Sequence, residues 1–475
     1  MSKQLQRAAF IVGLGALMSS CASVRPANDT LAGQMTAESV PTAPNQWTSA
    51  RERVGEVRVG WIAAFNDPTL TALVEEAQQN NRNLQAAAAS VRRANALVRQ
   101  AGAQQLPAVG ASADATRTEI VDGPGSNSRY SVGLQVSYEV DLWGRIEAGE
   151  AAAIASAQAA EADYVFAQYS IAASVARTYF LVIESREQAA VANGIVDALT
   201  EIFRIVELRY QYGFASEFDV SLAEADLQSA RDSLAAAQNG EIEALRALEA
   251  LAGRYPAGLL DTAERLPALP SAPGAGLPSE LLERRPDVIA AERDVAAALN
   301  SLSIARAARL PSLSLSSSLG GASSELENVL DPANLAWTIA GNLLAPIFQG
   351  GALDAQVDIA QADIDATVAI YADTAINAFT DVETALDRGV FLRARRDALE
   401  VAADRSRNAL RLSNLQYGQG EIDLFDVLGV QQRVFGAESS LLALKRAQLN
   451  QYIELSLALG GDWRETPTPA ADAED

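Results

Sequence analysis

Hydrophobic and polar positions alternate with a period of two along the segment from Tyr130 to Asp141. Tyrosine, valine and leucine fill one set of positions, whereas serine, glycine, glutamine, glutamate and aspartate fill the other. Because successive side chains of a strand point to opposite faces, this alternation predicts a β-strand with one apolar and one polar face. Its length suits a tilted strand that places about 9 to 11 residues in a lipid bilayer.

A helix pattern replaces the alternation after residues 141–144. From Arg145 to about Tyr212 there is no proline and no cluster of turn residues, and Ala, Glu, Gln, Arg and Leu predominate. These residues favour helices, so the pattern predicts one continuous helix over this segment. At a rise of about 1.5 Å per residue it is roughly 100 Å long, several times the length of an ordinary domain helix.

A second long helix is predicted to follow over 218–252, where apolar residues recur at steps of three and four. This heptad spacing is typical of helices that pack side by side, and it is broken only at Glu241. Gly213 lies in the short segment between the two helices and is interpreted as their turn. The two helices are therefore predicted to form a very long antiparallel hairpin.

The second half of the chain repeats the first. Tyr210 and Gly213 correspond to Tyr417 and Gly420 at a constant separation of 207 residues. The polar interruption of the first heptad seam recurs at the same separation, where Gln448 stands. A repeat that reproduces even this interruption indicates a duplicated structural unit.

The patterns divide the chain into segments. Those outside the repeats are a signal peptide at 1–20, a lipid-anchored extended tether at 21–65, a Pro-rich linker at 254–280 and a disordered acidic tail at 461–475. The first repeat, 66–253, has a helix at about 70–105, strands at about 108–118 and 129–142, and long helices at about 145–212 and 218–252. The second repeat, 281–460, has a helix at about 286–309, strands at about 311–320 and 335–347, and long helices at about 353–417 and 424–459.

Composition argues against several classes of function. A net charge of −23 disfavours a nucleic-acid partner, because phosphate binding needs clustered basic residues. Histidine is absent and Cys21 is the only cysteine, so the commonest general base, an internal disulfide and a CxxC metal site are all missing. The nearest carboxylate pairs, Glu75 with Glu76 and Glu241 with Glu243, lie in solvated helix patterns. We therefore predict no catalytic residue, no metal site and no enzymatic activity.

The amino terminus is typical of an exported protein. Lys3 and Arg7 precede an apolar run that is too short for a transmembrane helix. Small residues directly before Cys21 resemble a bacterial lipoprotein signal, in which cleavage leaves a lipidated cysteine as the first residue. A covalent lipid on Cys21 is then the only attached group expected, with no other cofactor. The alternative is an ordinary secretory signal followed by an incidental cysteine.

The strands lead to a prediction about assembly. Each half supplies two strands, and four strands with an apolar face cannot close into a barrel. Several protomers must therefore contribute strands to one membrane barrel, in which Ser131, Gln135 and Glu139 line a water-filled lumen. The alternative is a soluble α+β protein whose apolar strand faces cover a layer of helices, but this leaves the long hairpins without a purpose.

Short motifs near the starts and ends of the elements carry a family resemblance. They are Leu277-Pro278, Leu281-Leu282, Arg284-Arg285-Pro286-Asp287, Ala291-Glu292, Arg309-Leu310-Pro311 and Pro346-Ile347-Phe348 with Gly350-Gly351. With the duplication and the order of elements, they resemble the outer-membrane efflux lipoproteins of the OprM/NodT group, relatives of TolC. The resemblance implies a mainly α, duplicated TolC-like fold with four strands and long antiparallel helical hairpins per protomer.

The same resemblance implies an assembly and partners. A homotrimer would combine twelve strands into one barrel in the outer-membrane lipid, continuous with an α-helical barrel of twelve helices in the periplasm. A periplasmic adaptor, also called a membrane fusion protein, and an inner-membrane, proton-driven transporter of the RND type would load it. This is the leading hypothesis, with passive outward conduction of small molecules such as drugs and toxic compounds. The alternatives are a duct for type I protein secretion and a structural, non-conducting lipoprotein of the periplasm.

A tube that is open at both ends would leak, so we expect the periplasmic tips of the hairpins to close it. By elimination these tips are 210–219 and 417–426, since the other helix ends run into strands or the linker. Gly213 forms the first turn, and Gly418 and Gly420 form the second.

The resemblance also implies gate residues at these tips. It assigns a pore-facing aspartate to Asp426 and a tyrosine–aspartate hydrogen bond to Tyr417 and Asp219. The family's second pore aspartate falls on Gly429, so this gate is expected to have fewer ionic contacts. The alternative interpretation is that both aspartates only stabilise helix starts and that Tyr417 is a packing residue. Together, Glu139 and Asp426 suggest a preference for cations.

Overall fold

The computed structural model describes residues 29–49, 60–119 and 126–462 of the 475-residue chain. In these ranges the helices are α1 (Asp29–Ser39), α2 (Pro68–Asn80), α3 (Arg82–Gly102), α4 (Arg145–Gln211), α5 (Glu217–Leu251), α6 (Leu281–Arg284), α7 (Pro286–Ala307), α8 (Ala352–Gln419) and α9 (Leu424–Ala458). The strands are β1 (Ala108–Glu119), β2 (Ser126–Val140), β3 (Ser312–Ser323) and β4 (Leu335–Leu344). Short 3-10 helices lie at Ala63–Phe65, Ala103–Gln105, Pro278–Glu280, Leu326–Asn328 and Pro332–Asn334.

The chain divides into two compact units. One contains the sheet and combines the described residues up to Val40 with Ser90–Glu161 and Ala290–Asp373. The other combines Pro41–Ala89 and Ala162–Ile289 with the described residues from Thr374 onward. Each unit therefore takes segments from both sequence repeats.

The four strands form one antiparallel sheet in the order β1-β2-β3-β4. Leu134 of β2 pairs with Leu319 of β3, which pairs in turn with Trp337 of β4. The next row pairs Gln135 with Ser318. Because directly paired residues share a face, the register gathers apolar side chains on one face of the sheet and small polar ones on the other. The alternation predicted for one strand thus extends across the sheet.

The junction between β2 and α4 is fixed by the side chain of Asp141. Its carboxylate accepts hydrogen bonds from the backbone N–H groups of Arg145, Ile146 and Glu147 at 2.8 to 2.9 Å. These N–H groups have no partner inside the helix, so an acidic side chain here both ends the strand and stabilises the helix start. Gly144 makes the turn with φ of 75°.

The buried core of the second unit contains aromatic residues that pack against one another. The ring of Phe65 lies 4.9 Å from the ring of Phe180 and 5.3 Å from that of Tyr452. The hydroxyl of Tyr179 donates to Asp67 Oδ2 at 2.7 Å and accepts from the Ala263 N–H at 3.0 Å. Burial, followed by the hydrogen bond to Asp67, raises the pKa of Tyr179. The linker is thereby joined to the start of α2 through a buried hydroxyl.

The prediction of a wholly extended tether at 21–65 is wrong. Residues 29–39 form α1, in which Ala32 and Thr36 are buried. The Thr36 hydroxyl donates to the Ala32 carbonyl at 3.0 Å, which satisfies that group inside the helix. Tertiary packing of two small residues overrides a composition that favours irregular structure.

The prediction of a single helix at about 70–105 is also wrong, because the structure has two helices there. Asn81 has an extended backbone, with φ of −63° and ψ of 127°, and separates α2 from α3. Its side-chain oxygen accepts from the N–H groups of Asn83 and Leu84 at 2.9 and 3.3 Å, so it starts the second helix. An asparagine side chain can bind nearby backbone N–H groups in this way. Whether it caps a helix or lies inside one depends on the surrounding structure.

Other boundaries differ in detail from the predicted ones. Strand β2 begins at Ser126, because Ser126 pairs with Glu119, and β3 reaches Ser323, because Ser323 pairs with Tyr130. Strand β4 ends at Leu344 rather than 347, since Pro346 has no N–H to donate. Gly418, predicted to be a turn residue, lies inside α8.

The prediction of a disordered tail from 461 onward is wrong for the first two residues of that segment. The Gly461 N–H donates to the Ser456 carbonyl, and the Asp462 carbonyl accepts from the Gly60 N–H at 2.9 Å. The predictions for the signal peptide, Cys21 and residues 463–475 lie outside the described residues. In the described part of the chain, no helix combines the length and hydropathy that a membrane-spanning helix requires.

Candidate functional site

The polar face of the sheet carries the residues predicted to line a water-filled lumen. Ser131, Gln135 and Glu139 all point to this face of β2. Their partners on β3 are Ala322, Ser318 and Ser314. Most of these side chains are small and leave the face open. The structure therefore brings the three residues onto one polar surface, while their contact with a water-filled lumen stays a prediction.

Glu139 is compensated by a neighbouring positive charge. Both oxygens of its carboxylate lie 2.8 Å from Nη2 of Arg145, the first residue of α4. The cap at Asp141 fixes the position of Arg145. The prediction that Glu139 contributes to a cation preference is weakened, because the nearby guanidinium cancels most of its field.

The opposite face of the sheet is apolar and exposed. On β4, Trp337 is 72% exposed, Ile339 70% and Leu343 63%, and on β1 Val109 is 69% exposed. A contiguous apolar surface of this kind marks contact with lipid or with another protein. The outer edges of β1 and β4 pair with no other strand of the described chain.

At the tip of the first hairpin, residues 210–219 form a compact turn. Gly213 has φ of 77°, and the Phe214 N–H donates to the Arg209 carbonyl at 2.8 Å. Ser216 and Asp219 then form a reciprocal capping box at the start of α5. The backbone N–H and the hydroxyl of Ser216 hold the pKa of the Asp219 carboxyl below its usual value. Asp219 is thus a helix-start residue, which is the alternative interpretation given to it from the sequence.

The tip of the second hairpin has related geometry. Gly420 has φ of 75°, and the Glu421 N–H donates to the Gln416 carbonyl at 2.9 Å. Asp423 caps α9 by accepting from the Asp426 N–H at 3.0 Å. Asp426 therefore lies in the first turn of α9 with its carboxylate free of that capping role.

Tyr417 contacts an arginine that the sequence did not single out. The guanidinium carbon of Arg209 lies 5.0 Å from the centroid of the Tyr417 ring. Within the described residues the Asp219 carboxylate binds the backbone N–H and the hydroxyl of Ser216, and its hydrogen bond with Tyr417 stays a prediction. The role of Asp426, Tyr417 and Asp219 in a gate stays a prediction.

The two hairpins pack together beside the tips. Leu424 and Leu428 of α9 join a buried cluster with Leu199, Val206 and Leu227 of α4 and α5. Tyr417 packs against the same cluster and is partly buried. The apolar spacing of the heptad seams thus gives the tips a shared core.

The duplication could have identified one of the missed residues. Ser216 and Asp219 correspond to Asp423 and Asp426 at the separation of 207 residues. A cap at Asp423 therefore follows from the cap at Ser216. No comparable signal exists for Arg209, because its counterpart is Gln416.

A strap formed by residues 41–49 is bound to α8 and to the linker. The Trp47 indole donates to the carbonyls of Ala275 and Gly276 at 3.0 and 3.2 Å. The backbone N–H groups of Thr48 and Ser49 donate to the two carboxylate oxygens of Glu383 at 2.8 and 2.9 Å. Burial acts to raise the pKa of Glu383, but the hydrogen bonds from Ser49 and Thr48 outweigh it and lower the pKa.

This strap is expected to loosen in acid. Because the pKa of Glu383 is lowered on folding, its contribution is complete above the ordinary value of 4.5 and is lost as pH falls through the folded value. Hydrogen exchange of peptides covering residues 41–49, corrected for the intrinsic effect of pH, should accelerate in that window. Glu383→Gln should show fast exchange already at neutral pH, whereas Glu400→Gln on the same helix should behave as wild type. Equal protection in all three proteins would contradict this role of Glu383.

In the described part of the chain, no group of three or more Cys, Asp and Glu side chains is arranged to hold a metal ion.

Comparison with known proteins identifies related sequences over most of the chain. The profile of the outer membrane efflux protein family matches residues 73–254 and 277–461. The pyoverdine export outer membrane protein OpmQ of Pseudomonas aeruginosa is 33% identical over 438 residues, which is 89% of this chain and 92% of the relative. The solvent efflux pump outer membrane protein SrpC of Pseudomonas putida is 32% identical and covers 84% of this chain and 86% of the relative.

Solved structures share the fold. The outer-membrane channel OprN superposes with a TM-score of 0.81 at 28% identity, covering 90% of this chain and 98% of the other. The CmeC outer membrane channel of Campylobacter jejuni gives a TM-score of 0.84 at 25% identity, with 90% and 95% covered. The open state of the Neisseria gonorrhoeae MtrE channel gives 0.79 at 28% identity, with 90% and 98% covered.

Proposed function

The chain belongs to the outer membrane efflux protein family, and from this we infer that it is the outer-membrane channel of a tripartite efflux pump. It is located in the outer membrane and conducts its substrates passively outward. The observation that supports this most directly is the two-faced sheet, with exposed Trp337 and Ile339 on one face and an open polar surface on the other. These are the surfaces that a strand needs between lipid and water.

We propose that three copies of the chain form the working channel. The outer edges of β1 and β4 carry backbone groups that pair with no strand in the described chain, and in lipid such groups must find partners. Pairing of β1 in one protomer with β4 in the next would close a barrel of twelve strands. The long helices α4, α5, α8 and α9 would form the continuing periplasmic tube.

The partners follow from the same inference. Relatives are named as outer membrane proteins of solvent, toluene and antibiotic efflux pumps. A periplasmic adaptor and a proton-driven inner-membrane transporter of the RND type would supply energy and substrate to the channel. We propose small toxic compounds as the substrates and a covalent lipid on Cys21 as an additional membrane anchor.

Conductance tests the proposed function. The purified trimer in planar lipid bilayers should open to an ion-conducting state, at least transiently under applied voltage. A trimer that inserts but never conducts under any condition would exclude the channel and favour the structural role. Loss of resistance to several unrelated toxic compounds on deletion of the gene should accompany the conductance.

We propose that a ring of three Asp426 carboxylates gives the channel a cation preference. A concentrated negative charge in a narrow aqueous passage attracts cations and repels anions. Asp426→Asn should shift the reversal potential in a salt gradient towards zero, whereas Asp426→Glu, which keeps the charge, should leave it nearly unchanged. If Asp426→Asn and wild type show the same reversal potential, the ring does not control selectivity.

A further inference from the structure

A cleft of about 250 Å³ lies between helices α4, α5 and α9. Its apolar wall is formed by Ile195, Leu199, Leu428 and Phe435. Leu199 and Leu428 also belong to the buried cluster in which the two hairpins pack, so the cleft lies directly beside that cluster. A cavity of about 150 Å³ holds one benzene ring. The cleft is therefore large enough for a single aromatic ring with a short side chain.

The polar side of the cleft includes a carboxylate without a partner. Asp226 of α5 lines the cleft and is partly buried. Within the described residues it forms no hydrogen bond and no ion pair. Burial raises the pKa of the Asp226 carboxyl, and no positive side chain in the described part of the chain acts to lower it. A cation in the cleft would compensate for this burial.

A buried amide lines the same cleft. Gln431 of α9 is only 4% exposed, and it forms no hydrogen bond in the ranges that the structure describes. The other buried glutamines of α9 differ, since Gln448 and Gln451 donate to carbonyls of α8 at 3.5 and 2.8 Å. A buried amide without a partner is destabilising. A ligand in the cleft that forms a hydrogen bond with Gln431 would remove this cost.

The serine hydroxyls of the cleft offer lone pairs rather than protons. Ser229 Oγ donates to the Ala225 carbonyl, and Ser233 Oγ donates to the Ser229 carbonyl, each at 3.0 Å. Because a hydroxyl has one proton, both oxygens remain available only as acceptors. With the Asp226 carboxylate, the cleft therefore presents several acceptors and one negative charge. These features fit a positively charged hydrogen-bond donor and disfavour an anion.

The duplication does not repeat this charge. At the separation of 207 residues, the counterpart of Asp226 is Arg433, which is exposed. A positive charge at the corresponding place in the second repeat would repel a cation. The carboxylate that favours a cation is therefore specific to the first repeat.

We propose that the cleft is a binding site for a small organic ammonium ion with one aromatic ring. The ammonium group donates to the Asp226 carboxylate and to the side-chain oxygen of Gln431, while the ring packs against Leu199, Leu428 and Phe435. The bound ion adds contacts between α5 and α9 and so stabilises the folded protomer. The site lies within one protomer, so binding requires neither an open channel nor the ring of Asp426 carboxylates.

Three probes that share one ring test the site on the purified trimer. Benzylamine is a cation at neutral pH, benzyl alcohol is neutral and benzoate is an anion. Isothermal titration calorimetry, corrected for the partition of each probe into detergent, measures their affinities. Benzylamine should bind saturably at one site per protomer, benzyl alcohol about tenfold more weakly, and benzoate not at all. Equal affinities for benzylamine and benzyl alcohol, or no saturable binding of benzylamine, would overturn the proposal.

Substitutions then locate the bound cation. Asp226→Asn keeps the shape of the side chain but removes its charge, and it should weaken benzylamine binding about tenfold or more. Gln431→Leu should weaken binding about twofold to tenfold, the effect of losing a neutral hydrogen bond. Asp232→Asn is the matched control, because it removes an exposed carboxylate of the same helix outside the cleft. If Asp226→Asn binds benzylamine as tightly as wild type, the cleft is not the site.

A further control separates this site from the pore. Asp426→Asn should bind benzylamine like wild type, and loss of binding there with full binding in Asp226→Asn would place the cation in the pore and overturn the proposal. Every variant should form a trimer with wild-type helix content before its affinity is compared. If Asp226→Asn fails to assemble, Gln431→Leu and the probe series on wild type decide the question. A wild-type trimer that binds benzylamine but never conducts would refute the channel function and leave this site intact.

Discussion

Replacement of Arg285 by alanine is expected to lower the free energy of unfolding by about 3–5 kcal/mol, the cost of removing one partner from a buried ion pair. The Arg285 side chain is 7% exposed and binds both carboxylate oxygens of Asp287 at 2.7 and 3.0 Å. It also donates to Asp381 and to the Ala458 carbonyl at 3.0 and 3.3 Å. Without the Arg285 side chain, the Asp287 carboxylate, which is 20% exposed, loses its ion-pair partner. The last turn of α9 loses a hydrogen-bond donor at the same time.

The neighbouring arginine provides the control for this prediction. Arg284 forms an exposed pair with Glu280 at 3.2 Å, one helical turn away. Exposed pairs of this spacing contribute little, so Arg284→Ala should lower the free energy of unfolding by only about 0.5 kcal/mol. Chemical denaturation followed by far-UV circular dichroism measures both. Similar losses in the two variants would show that Arg285 acts as an ordinary surface arginine.

Replacement of Gly253 by alanine should destabilise the protein by about 2–5 kcal/mol. Gly253 ends α5 with φ of 77°, a left-handed conformation that costs an alanine about 1–2 kcal/mol. A Cβ at this position would also lie 2.6 Å from the carbonyl oxygen of Asn80. Since the obstacle is backbone at the end of α2, relief requires a shift of that helix end, which adds about 1–3 kcal/mol.

Gly213 separates the two contributions to this effect. It has the same φ of 77°, but nothing lies within 4 Å of an added Cβ. Gly213→Ala should therefore show only the backbone cost of about 1–2 kcal/mol. The difference between the two variants, measured as a difference in the unfolding midpoint, isolates the contact with Asn80. Equal midpoints would mean that the end of α2 adapts without cost.

Much of the fold could be predicted from the sequence because its elements are long and strongly periodic. Helices α4 and α8 extend over 67 and 68 residues with no proline, so that local propensity and tertiary packing agree along their length. The predicted alternation in β2 is preserved, since a shift of one residue would move every apolar side chain to the polar face. The duplication then placed the second set of elements without further information.

Parts of the candidate site were less predictable. The sequence located the hairpin tips and placed Asp426 in the first turn of a helix. The family resemblance assigned Tyr417 a bond to Asp219, and neither indicated the contact of Tyr417 with Arg209. The carboxylate of Asp219 instead binds Ser216, three residues away on its own chain segment. A nearby partner is favoured because it requires little ordering of the chain, whereas a distant one depends on how helices are rotated against one another.

The sequence by itself determined the duplicated order of helices and strands, the two-faced sheet and the turns at the hairpin tips, because each follows from residues that are close together along the chain. Only the tertiary structure decided that Asn81 interrupts a helix pattern, that Arg145 compensates Glu139 and that Arg209 stacks on Tyr417. The partner of a charged or aromatic side chain is set by packing between distant segments. The period of hydrophobic positions along the chain does not predict that partner.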